Sequence, residues 1–148
     1  MFIGSFTYNL DSKGRIAIPA KLRKSLKPEA NETFIMTIGT AKCIDVYPLD
    51  QWDELATKKL ENLNTFDPKE AMFIRMFLQQ AWEDKLDTQS RLLVPKNLIE
   101  YAEIEKEVFI LGALKKIELW NPANYEKYIE ENKALYSEIA SEVMNISK

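Results

Sequence analysis

The 148-residue chain contains no histidine and a single cysteine. Without histidine the commonest general base is gone, and Ser-His-Asp triads and ordinary zinc sites go with it. Carboxylate-only acid/base or metal sites remain open in principle, but no acids cluster on a glycine-rich scaffold, so neither catalysis nor a cofactor or metal is expected. Cys43 alone cannot form an intramolecular disulfide, and its apolar surroundings suit a small buried hydrophobe. No apolar run approaches the roughly 20 residues of a membrane span. Met1-Phe2-Ile3-Gly4 lacks the cationic start and cleavage site of a signal peptide, so the chain is expected in the cytosol, with no membrane partner. Low-complexity stretches and long linkers are absent too.

What is present is a motif used twice. Asp11-Ser12-Lys13-Gly14-Arg15-Ile16-Ala17-Ile18-Pro19 returns as Asp87-Thr88-Gln89-Ser90-Arg91-Leu92-Leu93-Val94-Pro95, 76 positions on. Each copy reads as a turn opening on aspartate and delivering an arginine. A short strand follows, then a proline whose fixed φ suits the first turn of a helix. Upstream, Phe6 falls over Trp82 and Leu10 over Leu86; downstream the offset shrinks to 73, laying Phe34–Gly39 over Glu107–Gly112 and Ile44–Tyr47 over Ile117–Trp120. The unit is thus β-turn-β-α-β-β, and a unit of about 45 residues could hardly bury a core alone.

Between the copies, Trp52, Leu55, Ala56, Leu60 and Leu63 mark one helix, with Asp50 as its expected cap. Asp67-Pro68-Lys69-Glu70 is a capping box opening a second helix. The first strand is expected over Phe2–Leu10, and the second unit is expected to open with a strand from Phe77 or Leu78 through Leu86. After Asn121-Pro122 a single C-terminal helix carries Tyr125, Tyr128, Ile129, Tyr136, Ile139 and Val143 on one side and acids on the other. It is expected to pack on the chain or to touch another subunit. The organisation is a first unit over 5–50, linking helices over 51–80, a second unit over 81–124 and the helix over 125–148. The fold class is α+β; periodicity alone leaves open two interlocked sheets or two side by side.

The paired D-x-x-x-R motifs, each followed by an aliphatic run and proline at this separation, resemble the MraZ family, and the similarity runs from Met1 to about Tyr128. It implies a bacterial, nucleoid-associated transcriptional regulator built of two tandem SpoVT-AbrB-like units, joined as a pseudo-two-fold swapped-hairpin β-barrel. It also implies a ring-like homo-oligomer, octamer-like in the family, that binds direct repeats in double-stranded DNA upstream of its own division and cell-wall gene cluster.

Charge distribution gives this expectation a location. Net charge is only −3, yet Lys13, Arg15, Lys21, Arg23, Lys24 and Lys27 face a single acid, Asp11, between positions 11 and 27. The second copy keeps Lys96 but then offers Asn97, Glu100 and Glu103. The candidate DNA-binding residues are therefore Lys13, Arg15, Lys21, Arg23, Lys24 and Arg91. The plainer reading of Arg15 and Arg91 is an ion pair with Asp11 or Asp87 that only steadies a hairpin. Both can hold, the aspartate orienting what DNA later engages. Because serine tolerates positive φ poorly, Ser90 in place of Gly14 predicts a different second turn. Trp52, Trp82 and Trp120 are expected in the core or at an interface, not as base-stacking platforms. Asp45 and Glu118 are read as one acid per strand pair, too few for a metal. The competing function is a non-catalytic, antitoxin-like interaction module whose tail binds a partner.

Overall fold

A computed structural model describes residues 1–144. Eight strands form two antiparallel sheets. They are β1 (Ser5–Asn9), β2 (Arg15–Ala17), β3 (Thr33–Ile38), β4 (Ile44–Pro48), β5 (Trp82–Lys85), β6 (Arg91–Leu93), β7 (Glu107–Ala113) and β8 (Lys116–Trp120). Six of them make one sheet in the order β1-β7-β8-β4-β3-β5, while β2 and β6 pair as a separate ribbon. The six-stranded sheet is open, with β1 and β5 at its edges, so the closed barrel implied by the resemblance is not what the pairing gives.

Each unit's opening strand pairs with the other unit's sheet: β1 lies on β7, and β5 on β3. At the centre, Asp45 of β4 stands opposite its own repeat counterpart, Glu118 of β8, and in the ribbon Ile16 stands opposite Leu92. A pseudo-two-fold axis therefore passes through both pairs. The symmetry also corrects the repeat alignment. Phe34 and Met36 are buried on the core face as Val108 and Ile110 are, so the offset through β3 and β7 is 74, returning to 73 at β4 and β8. Gly39 and Gly112 do not correspond, because a one-residue slip would turn every side chain of the strand to the wrong face.

The core lies between the sheet and the ribbon. Phe34, Ile44, Val46, Ile110, Ile117 and Leu119 meet Ile16, Ile18, Leu92 and Val94 there. Two short helices, α1 (Ala20–Arg23) and α4 (Lys96–Tyr101), are pinned to the core by Leu22 and Leu98. Each such burial is worth roughly 1.5–3 kcal/mol. Helices of that length do not hold themselves.

The other face of the sheet is covered by helices: α2 (Leu49–Lys58) and α3 (Pro68–Gln79) on one half, α5 (Pro122–Asn132) on the other. Trp52 stacks on Phe77 and meets Tyr47 edge-on, the Thr37 hydroxyl donates to the Phe77 carbonyl at 2.6 Å, and Tyr125 stacks on Phe109 and contacts Trp120. Several expectations shift here. The first strand is shorter, Phe2 making only an isolated bridge to Leu114. Phe77 and Leu78 are helical, because Phe77 is the side chain α3 turns toward Trp52, and the second unit's strand starts only at Trp82. Pro48, not Asp50, precedes α2. Asp67 does cap α3, accepting from the Lys69 N–H at 2.8 Å, but Glu70 reaches the Asn64 N–H instead of closing a capping box. The C-terminal helix is two helices, α5 and α6 (Tyr136–Met144), broken by a 3-10 turn over Lys133–Leu135; its final residues, 145–148, lie outside the described residues. Trp120 is buried and Trp52 half-buried, but Trp82 stands 53% exposed on edge strand β5.

Candidate nucleic-acid interface

The two motif turns are built bond for bond alike. In the first, Asp11 Oδ1 accepts from the backbone N–H groups of Lys13 and Arg15, both at 2.9 Å, and the Gly14 N–H donates to the Asp11 carbonyl at 3.0 Å. In the second, Asp87 Oδ1 accepts from Gln89 and Arg91 at 2.8 and 2.9 Å, and the Ser90 N–H donates to the Asp87 carbonyl at 2.9 Å. The different geometry expected of Ser90 is absent: it takes φ 59°, beside 81° at Gly14. The cost is on the order of 1–2 kcal/mol. Cross-unit bonds hold the serine there. Its carbonyl accepts from the Ile18 N–H at 3.0 Å, as the Gly14 carbonyl accepts from Val94 at 2.9 Å.

Each arginine is held by its own aspartate. Arg15 Nε donates to Asp11 Oδ2 at 2.6 Å, and Arg91 Nε to Asp87 Oδ2 at 2.9 Å. Backbone donation from Arg15, reinforced by its guanidinium, pulls the Asp11 carboxyl down to about 2 from an ordinary 3.8; Asp87 is lowered for the same reason, by the Arg91 backbone first. Using only Nε leaves the outer edge of Arg15 able to meet a phosphate or guanine. The second arginine is more committed. Its Nη1 also reaches Asp11 Oδ2 at 3.4 Å, and its side chain is 25% exposed against 31% for Arg15. This bridge between units, with Arg15 and Arg91 flanking the axis in the β2–β6 ribbon, was not legible from either motif alone.

Of the other candidates, Lys13, Lys21 and Lys24, with Lys27, are exposed and pair with no carboxylate among the described residues. Arg23 is half-buried, its Nε donating to the Ile18 carbonyl at 3.0 Å, so it ties α1 to β2 before anything else. The counterpart surface around α4 is different in kind: Trp82, Leu93, Pro95 and Ile99 line a groove of about 540 Å³ beside Lys13 and Lys96.

The two acids at the axis do meet, contrary to their separate reading in sequence. Asp45, Glu118 and Cys43 bring ligand-type atoms within 4.8 Å of one another on the helix-covered face of the sheet. Lys116 supplies the cation, its Nζ lying 2.9 Å from Asp45 and 3.2 Å from Glu118. Burial raises the Asp45 carboxyl, with Lys116 opposing; burial also raises the Cys43 thiol and pushes Tyr47 up to about 12. Burial works to lower Lys116, but its attraction to Asp45, its hydrogen bond to Asp45 and the nearby Tyr47 and Glu118 together outweigh this and hold it above its ordinary value. A cluster with its own ammonium is a structural ion network.

The architecture defines a class: a tandem-duplicated α+β chain in which two arginine-bearing turns meet at a pseudo-dyad, beside a basic arm. The family described as "MraZ protein, putative antitoxin-like" matches residues 1–76 and again 77–145. The chain belongs to the MraZ family. The transcriptional regulator MraZ of Halothermothrix orenii is 41% identical over 141 residues, 95% of each chain. Those of Natranaerobius thermophilus and Desulfitobacterium hafniense are 37% and 36% identical over 145 and 146 residues, 98% and 99% of each chain. Among the described residues, no helix is long and apolar enough to cross a membrane.

Proposed function

We infer that this chain is a sequence-specific DNA-binding regulator that engages direct repeats upstream of its own division and cell-wall gene cluster, acting in the cytoplasm at the nucleoid. The observation that carries this reading is the Arg15 turn: a guanidinium fixed by Asp11 through Nε alone, its Nη1 and Nη2 making no hydrogen bond among the described residues, on the same unit as Lys13, Lys21 and Lys24. Arg23 steadies the arm, and Arg91 completes the arginine pair. Lysines contribute affinity through phosphate neutralisation; Arg15 contributes selectivity through a base edge. One such patch binds weakly, and a ring of copies engaging successive repeats multiplies affinity through effective concentration. The exposed apolar residues of α5 and α6, Tyr128, Ile129, Tyr136, Ile139 and Val143, support self-association. An electrophoretic shift of DNA from immediately upstream of the chain's own gene tests this reading. Retarded complexes dependent on the repeats support it, and equal affinity for scrambled DNA rejects sequence-specific binding.

A further inference from the structure

Four charged side chains meet where the two turns face each other: Asp11, Arg15, Asp87 and Arg91. Their charges cancel, but their contacts are unequal. Arg15 gives one nitrogen to one aspartate; Arg91 gives Nε to Asp87 and Nη1 to Asp11, 80 residues away in the other unit. Asp11 Oδ2 is therefore shared between both arginines at 2.6 and 3.4 Å.

That sharing has an electrostatic meaning for an anionic ligand. A carboxylate beside Arg15 fixes the guanidinium, yet it also sets a negative charge next to an incoming phosphate. Without Arg91 the group would hold two acids and one base. With it the aspartates remain as orienting acceptors while the group stays neutral.

We propose that Arg91 is a positioning residue, which neutralises Asp11 and Asp87 across the unit boundary so that Arg15 alone presents its guanidinium to DNA. This rests on the reading of Arg15 as a DNA contact and divides the arginine pair into a contacting member and a supporting one.

The experiment is a charge-compensated pair measured by operator affinity in the full-length protein. Arg91→Met leaves the group one charge negative and weakens binding about tenfold. Adding Asp87→Asn, which retains the Oδ1 acceptor of the turn, restores neutrality and returns affinity to within about threefold of the parent. The dependence of log affinity on log salt keeps its slope in Arg91→Met, whereas losing a phosphate contact lowers it by about 0.9. Failure of Asp87→Asn to rescue, undiminished binding by Arg91→Met, or a fallen slope overturns the proposal. Asp87→Asn alone, which keeps both arginines, binds at least as tightly as the parent; weaker binding overturns the proposal even if Arg91→Met fails to fold. Arg15→Ala in the same assay separates the two levels, since parental affinity there rejects the underlying reading of Arg15 itself.

Discussion

The first unit and the second fold the same turn and then surround it differently. After the Arg15 turn come Lys21, Arg23, Lys24 and Lys27; after the Arg91 turn come Asn97, Ile99, Glu100 and Glu103. At matching positions of the two opening strands, Phe6 is half-buried and Trp82 largely exposed. Backbone geometry has been held fixed in both copies while charge and apolar surface have moved apart. A duplicated fold keeps what interlocking needs, namely the turn bonds and the residues on the axis, and is free to change the rest.

The sharpest way to break this comparison is the arginine pair. Arg15→Ala abolishes retardation of operator DNA while leaving oligomer size unchanged, because among the described residues the Arg15 guanidinium is tied only through Nε to Asp11. Retained binding at matched protein concentration would sink the assignment. Next in size is the axis itself, where Lys116 occupies the position that Cys43 holds in the first unit. Lys116→Met leaves Asp45 buried without its cation and costs about 3 kcal/mol at neutral pH by urea unfolding, whereas Cys43→Ala, with no charge to strand, costs much less. The Asp45 carboxyl is raised in the folded protein, so protonation favours folding. The loss in Lys116→Met is therefore smallest below the ordinary carboxylate value and grows as pH rises through that of Asp45. Equal costs for the two variants would show that Lys116 is not what balances the acids.

Smaller effects sharpen the comparison at the turns. Gly14→Ser imposes the strain that Ser90 already bears, and a Cβ at Gly14 meets nothing closer than 3.6 Å, so the cost is backbone strain of about 1 kcal/mol. Ser90→Gly relieves it and stabilises by up to about 1 kcal/mol. Thermal melts that move the same way in both variants would contradict the equivalence of the turns. The smallest effect is in acid. Carboxyl titration by NMR places Asp11 at about 2, and Asp87 also below the ordinary value. Both groups are depressed by folding, so their stabilising effect is complete above about 3.8 and is lost as pH falls from there toward 2. An unperturbed Asp11 would show that the turn bonds do not persist in solution.

Much of this was legible in the sequence because duplication is visible in one chain. Asp11 and Asp87, the prolines, the apolar alternation and the basic arm all read directly. Strand partners did not. That β1 lies on β7 and β5 on β3 depends on contacts across about 50 to 100 residues, which no local period encodes. The 73-residue alignment of β3 with β7 failed because matching the glycines outweighed matching the buried faces. The strand at Phe77 failed because its helical role depends on Trp52, far off in sequence. Ser90 was misjudged because propensity prices the residue alone, while its carbonyl is held by Ile18 of the other unit. At the candidate interface, types and positions were readable, but the sharing of Asp11 between two arginines was a matter of tertiary placement.

The exchange of opening strands also dictates how the molecule can come into being. During synthesis β1 emerges roughly 100 residues before β7, and β3 waits for β5, so a nascent first unit carries unpaired strand edges until most of the chain has left the ribosome. A nonsense truncation ahead of β7 would release a chain that keeps only β5, β3 and β4 of the six-stranded sheet and leaves β1 without its partner. Complete translation becomes a precondition for the whole sheet.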